Sequence, residues 1–200
     1  MNKYLNEHDQ DLVFHREIVG SFRRGVVSRV HNGNKGFDID INLVIDYPGD
    51  GMKYIGKEIH TLYLNGIRQA VKGSPFSDPE ESSSVFTLKC KDRSNSRIKY
   101  GVDLAVIYYE PDSTMSFLQY HKSNGGFGFQ KRDMPGDLED MKDVIVKYYG
   151  GDDIIVEQYI HNKNSNYNEN KHSFIIYVET ICNLYNQICN RFQSYDYDDD

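Results

Sequence analysis

The chain has 200 residues, 38% of them hydrophobic and 26% charged, which is enough for one domain with a true core and a small helical appendage. With 23 basic against 30 acidic side chains the net charge is −7, which argues against a protein that coats nucleic acid, DNA included, by bulk charge, but not against a local basic groove. The three cysteines, Cys90, Cys182 and Cys189, follow no CxxC or Cys/His spacing, so neither a zinc site nor a disulfide framework is expected.

The opening "MNKYLNEHDQDLVFHRE" has no apolar signal-peptide core, and no run reaches membrane-spanning length. A cytoplasmic protein without a membrane partner is expected. Residues 4–17 read as a short amphipathic helix or an extended lead-in, and "EIVGS" (17–21) as a strand entering a turn. "FRRGVVSRV" then reads as helical, and "HNGNKG" (31–36), with two glycines and two asparagines, as a loop. "FDIDINLVID" (37–46) alternates and is rich in β-branched residues, so it is a strand, closed by the turn "YPGDG" (47–51). Residues 53–73 carry Ile55, Ile59, Leu62, Leu64 and Ile67 near helical spacing, with Gly73 as the stop.

"SPFSDPEESSS" (74–84) reads as a flexible loop, followed by two strands, "VFTLKCKD" (85–92) and "IKYGVDLAVIYYE" (98–110), in a hairpin across "RSNS". The second half reads as helical, over about 137–149, 152–163 and 172–192, ending in the acidic "YDYDDD". Lys131 and Arg132 fall in a loop, where they could meet an acceptor's phosphates. Tyr148, Tyr149 and the stripe from Ile154 to Ile160 read as core. The order is a mixed sheet with packed helices, then a helical C-terminal part.

The chemistry gathers on "DID". Side chains alternate along a strand, so Asp38 and Asp40 share one face while Phe37, Ile39 and Ile41 point to the other. Two carboxylates side by side repel unless a cation lies between them, and hard divalent ions prefer such oxygen donors. The plain alternative is an edge strand with a solvated polar face. Gly20-Ser21, at a strand-to-helix turn upstream, could let the backbone approach a phosphate and adds a hydroxyl. Asp103 is the one charge inside the apolar "YGVDLAVIYY". It is either a satisfied structural group or a third ligand brought beside the first two, and three carboxylates on adjacent strands suit two-metal phosphoryl chemistry. Asp46 continues the alternation but falls past the strand's end.

G-S-x-R-R-G, a strand of alternating hydrophobic residues and aspartates, and a later lone aspartate on a strand together resemble the polymerase-beta-like nucleotidyltransferase superfamily. The pattern is carried by Gly20, Ser21, Arg24, Gly25, Asp38, Asp40 and Asp103 and spans about residues 10–110. "EQYIHNKNSNYNENKHSFIIYVETI" resembles the helical segment of the cyclic-oligonucleotide and oligoadenylate synthases, where a lysine on one helix and a serine opening the next contact the triphosphate. Lys163, with Lys171 as its rival, and Ser173 fall in those places; a surface lysine and an N-cap serine are the plain alternatives. Val26 stands where the superfamily usually has threonine, and the chain is short for a complete cyclic-nucleotide synthase.

The resemblance implies an α+β fold. A catalytic core over 1–130 would be followed by a helical part over 131–194 that completes the cleft, and an acidic tail at 195–200. It implies Mg²⁺ (or Mn²⁺) at Asp38, Asp40 and Asp103, which are also the catalytic residues. An NTP would sit on Gly20, Ser21, Arg24, Lys163 or Lys171, and Ser173. The implied reaction moves a nucleoside monophosphate to an acceptor hydroxyl with release of pyrophosphate. The acceptor is open: a second nucleotide, making the protein a second-messenger synthase; a protein side chain, as in an AMP-transferring antitoxin; an RNA end; or an antibiotic. The competing reading is a non-catalytic relative that binds nucleotide or a partner.

Overall fold

The computed structural model describes residues 1–8, 12–23, 37–47, 49, 56–92, 97–123, 125–132, 137–167, 171 and 173–195. The chain forms two compact units, Met1–Asp133 and Met134–Asp200. The fold is α+β: a mixed sheet flanked by helices, then helices alone.

The first unit runs α1 (Asn2–His8), β1 (Phe14–Val19), α2 (Gly20–Arg23), β2 (Phe37–Ile45), α3 (Gly56–Val71), β3 (Glu80–Glu81), β4 (Phe86–Lys91), β5 (Ile98–Tyr109), β6 (Met115–His121) and β7 (Gly126–Arg132). The strands form one sheet in the order β1-β2-β5-β4-β3, with β6 pairing β5 and β7 pairing β6. β2 and β5 run parallel, because α3 and the β3–β4 segment carry the chain back to the same end before β5 begins.

The two faces of this sheet differ. One carries Leu43, Ile45, Val102, Leu104, Val106, Phe86 and Leu88, which form the main core with Leu5, Ile59, Tyr63, Leu64, Ile67 and Val71 of α1 and α3. Ile59, Tyr63, Ile67 and Val71 recur at helical spacing and are all buried, which explains why residues 56–71 hold a helix. Each wholly buried side chain among them contributes about 1.5–3 kcal/mol. The Tyr63 hydroxyl donates to Leu12 O at 2.8 Å, so this large side chain is buried with its polar end satisfied. The opposite face is apolar only toward the far ends of β2 and β5, where Val44, Ala105, Ile107 and Phe117 cluster. Its near end carries the aspartates.

Three expectations from sequence are corrected, and one falls largely outside the described residues. In the segment after Ser21 that reads as helical, Phe22 and Arg23 belong to α2; the rest, Arg24 and Val26 included, and the loop at 31–36 lie outside the described residues. Residues 74–84 are not simply a loop: Glu80–Glu81 pair with β4, and Phe76 bridges Cys90. Residues 115–132 form the β6–β7 hairpin, so Lys131 and Arg132 end a strand. Lys131 pairs with Asp112 at 3.4 Å, and the Arg132 guanidinium lies 4.2 Å over the Phe117 ring.

The second unit contains α4 (Leu138–Tyr149), α5 (Asp153–Asn164) and α6 (Ser173–Tyr195), with α4 and α5 each packed on α6. Ile145, Ile155, Tyr159, Ile176, Ile181, Leu184 and Ile188 are buried. Asn162 Nδ2 donates to Thr180 Oγ1 at 2.9 Å, and Thr180 Oγ1 in turn donates to Ile176 O at 2.7 Å, so the polar groups between α5 and α6 are paired. Here lies the third correction. Tyr148, Tyr149 and Ile160 are exposed rather than core, and the inward positions on these helices belong to Ile145, Ile155 and Tyr159. Among the described residues no helix is long and apolar enough to cross a membrane.

Candidate active site

Register decides whether the aspartates meet. In the β2–β5 ladder Asp40 stands directly opposite Asp103, and Asp38 opposite Gly101. Directly paired residues on adjacent strands point to the same face, so all three carboxylates lie on one side of the sheet, away from α1 and α3. That is the arrangement the sequence pattern required, and Asp46 lies beyond the end of β2, exposed.

Each carboxylate has a different neighbour. Asp103 Oδ1 accepts the Thr87 hydroxyl at 2.5 Å from β4, the strand on its other side. The Asp38 carboxylate lies over Gly101, where a Cβ would overlap its Oδ1. The Asp40 carboxylate lies against Gly20, where a Cβ would overlap Oδ2 and sit 2.8 Å from Cγ. Gly20 has φ +66°, a conformation that costs any residue with a Cβ. Glycine at 20 is therefore required twice, by the turn and by the carboxylate. At 101 a Cβ would oblige the Asp38 carboxylate to shift. The turn that the sequence placed near the aspartates touches one of them, and Ser21 follows in α2.

Three carboxylates on one face, with Asp40 and Asp103 in direct register, are the donor chemistry a hard divalent cation selects. They fit such an ion in kind and in face. They are not drawn together as a cage: among the described residues no three His, Cys, Asp or Glu side chains form a group that could hold an ion. Asp103 bonds Thr87 on β4, the Asp40 carboxylate lies by the Gly20 turn and that of Asp38 over Gly101.

The remaining expected residues are placed less tightly. Arg24 lies outside the described residues. In the second unit, Lys163 lies on α5 with its Nζ 5.8 Å from the centre of the Tyr159 ring. Lys171 pairs with Glu179 at 2.5 Å, and Ser173 is the first residue of α6 and exposed. Two residues missed at the sequence level are Thr87 and Gly101. Both follow from register, which a sequence does not display, although a glycine inside an apolar strand is a signal of close approach.

The fold is similar to that of solved structures of DncV. The structural neighbours are DncV, described for the Vibrio cholerae protein as a cyclic AMP-GMP synthase. Escherichia coli DncV in its 3′-deoxy GTP bound form aligns with TM-score 0.59 and 14% identity over 85% of this chain and 45% of that one. Vibrio cholerae DncV in its GTP bound form gives 0.59 and 14% over 91% and 49%. The same dinucleotide cyclase with GTP and 5MTHFGLU2 gives 0.58 and 12% over 85% and 48%. The chain thus spans less than half the length of these neighbours. No protein-family model matches the sequence, and no curated protein matches it.

Proposed function

We propose that the protein is a metal-dependent nucleotidyltransferase that moves a nucleoside monophosphate from an NTP to an acceptor hydroxyl and releases pyrophosphate. The observation that carries this reading is the direct register of Asp40 with Asp103 on the face that also bears Asp38 and the Gly20 turn. Asp38, Asp40 and Asp103 would hold Mg²⁺ (or Mn²⁺). When bound, the metal would neutralise phosphate charge and make the attacking hydroxyl more acidic. The Gly20-Ser21 turn offers backbone N–H groups and a hydroxyl to the β- and γ-phosphates beside Asp40. The sequence resemblance further assigns Arg24, Lys163 or Lys171, and Ser173 to triphosphate contacts. For Lys171 this requires release from Glu179. Catalysis on this reading is positioning and charge neutralisation, with the acceptor hydroxyl placed in line with the leaving pyrophosphate.

A second nucleotide is the acceptor favoured here, which makes the product a nucleotide signal. The fold shared with DncV supports this, since the DncV structures hold GTP and NTP analogues. The test is incubation with the four labelled NTPs and MgCl₂, with products identified by mass spectrometry. A cyclic or linear oligonucleotide with stoichiometric pyrophosphate is expected; AMP transferred to protein or RNA would replace the acceptor but keep the reaction.

A second reading, nucleotide binding without turnover, is favoured by the divergent directions of the three carboxylates. Calorimetry showing NTP binding with no pyrophosphate release in any combination of nucleotides would select it.

A further inference from the structure

Lys89 on β4 stands directly opposite Gly101 on β5, and Gly101 stands opposite Asp38 on β2. Directly paired residues share a face, so Lys89 lies on the face of the aspartates. Lys99 precedes Gly101 by two residues on β5 and lies there as well, one pleat of about 6.6 Å away. Both stand at the end of the face away from the apolar cluster of Val44, Ala105, Ile107 and Phe117. Gly101 puts no side chain between the two lysines, and the Asp38 carboxylate lies over it. Lys99 is exposed and, among the described residues, forms no ion pair. Lys89 pairs with Glu80, but both side chains reach solvent, so water screens the pair and another anion can replace Glu80 at little cost.

The Gly20 turn lies on the opposite flank, because β1 borders β2 and β4 borders β5. Across the face the order is the Gly20 turn, Asp38 and Asp40, Asp103, then Lys89. In an in-line displacement the acceptor oxygen bonds the α-phosphorus as the bond to the bridging oxygen of pyrophosphate breaks, and the hydroxyl proton passes to water. The acceptor therefore comes from the side opposite the pyrophosphate. With pyrophosphate on the Gly20-Ser21 turn, that side is β5 and β4, where the lysines stand. An ammonium group only donates, which matches a phosphate oxygen, and an uncharged acceptor brings it no anion.

We propose that Lys89 and Lys99 are specificity-determining residues that hold a phosphate of a free acceptor nucleotide. The assignment rests on the nucleotidyltransferase reading above and deepens it.

The experiment sets each NTP as acceptor against an equal concentration of the matching nucleoside, with the NTP also as donor and MgCl₂ present, and measures the products by mass spectrometry. In the wild type, products built on a triphosphate acceptor, linear or cyclic, are expected to exceed the dinucleoside monophosphate by about tenfold or more. In Lys89→Ala/Lys99→Ala that ratio is expected to fall by about tenfold, while the KM for donor NTP, measured with nucleoside as acceptor, stays unchanged. Lys72→Ala/Lys122→Ala removes two exposed lysines elsewhere and is expected to keep the wild-type ratio. Should the first double variant not fold, Lys99→Ala alone carries the comparison. A ratio retained in the Lys89/Lys99 variant, lost equally in the Lys72/Lys122 control, or accompanied by an equal rise in donor KM overturns the assignment and leaves the reaction class standing. Transfer only to a protein or an RNA does the same. A wild type that releases no pyrophosphate overturns the nucleotidyltransferase reading and this assignment together.

Discussion

Gly20→Ala tests the contact that joins the turn to the carboxylates. Two costs can be worked from the structure. Gly20 has φ +66°, and placing a Cβ there costs about 1–2 kcal/mol in the left-handed conformation. The new Cβ would also sit 2.8 Å from Asp40 Cγ, so the carboxylate must move, an overpacking cost of about 1–3 kcal/mol. The expected loss is about 2–5 kcal/mol. A double-mutant cycle with Asp40→Ala separates the two terms. That substitution removes Cγ and Oδ2 and leaves only the Asp40 Cβ, 3.1 Å from the new methyl group. In that background Gly20→Ala should cost only the backbone term, giving a coupling of about 1–3 kcal/mol between the positions. Urea unfolding followed by circular dichroism reads all four corners. Equal costs of Gly20→Ala in both backgrounds would show that Asp40 does not lie on Gly20. A cost below about 0.5 kcal/mol would show that the left-handed turn is absent as well.

Other substitutions probe the same face and its surroundings. Thr87→Val removes the hydroxyl that holds Asp103, a hydrogen bond to a charged group of about 1.5–3 kcal/mol before allowance for partial exposure. It should lower kcat more than it raises KM for NTP, and unchanged kcat would show that Asp103 needs no such support. His60, buried on α3 with its ring 3.8 Å from that of Phe127, has its pKa lowered by burial, partly opposed by Glu81. Its neutral form is favoured in the fold, so its contribution is present above pH 6.5 and is lost as pH falls through the lowered value. His60→Phe should flatten the fall in melting temperature between pH 7 and pH 5, and an unchanged slope would assign that fall to other groups. The Tyr109 pKa is pushed up to about 12 by burial and by its hydrogen bond to Glu17, so that part of stability is present below pH 10 and lost as pH rises toward 12. Tyr109→Phe should remove one late step from the ultraviolet titration of the tyrosines; a late step that persists would belong to another tyrosine.

Parts of this architecture are legible in the sequence because charge inside an apolar strand is conspicuous. Asp38 and Asp40 announce a face, and Asp103 announces a second strand with the same need. Register is what places Asp103 opposite Asp40, and it comes from the parallel β2–β5 pairing, which no local pattern encodes. The β6–β7 hairpin escapes a periodicity reading for a different reason. Gly126 and Gly128 weaken the strand signal, yet a Cβ at Gly128 would sit only 3.2 Å from His121 Nε2, so the small residue belongs to that cross-strand packing. Tyr148 and Tyr149 read as core by hydrophobicity, but α4 turns Leu138 and Ile145 inward and leaves the tyrosines outside, Tyr148 against Phe192.

The proposed catalytic centre requires Asp103 to act together with Asp38 and Asp40. The most direct measurement is pyrophosphate release from the four NTPs, titrated with MgCl₂ and MnCl₂, for the wild type, Asp103→Asn and the Asp38→Ala/Asp40→Ala double variant. Metal-dependent release is predicted for the wild type, a drop of about a hundredfold or more for Asp103→Asn, and no turnover from the folded double variant. Wild-type rates in Asp103→Asn, or turnover retained in the double variant, would contradict the assignment of these three carboxylates to one catalytic centre.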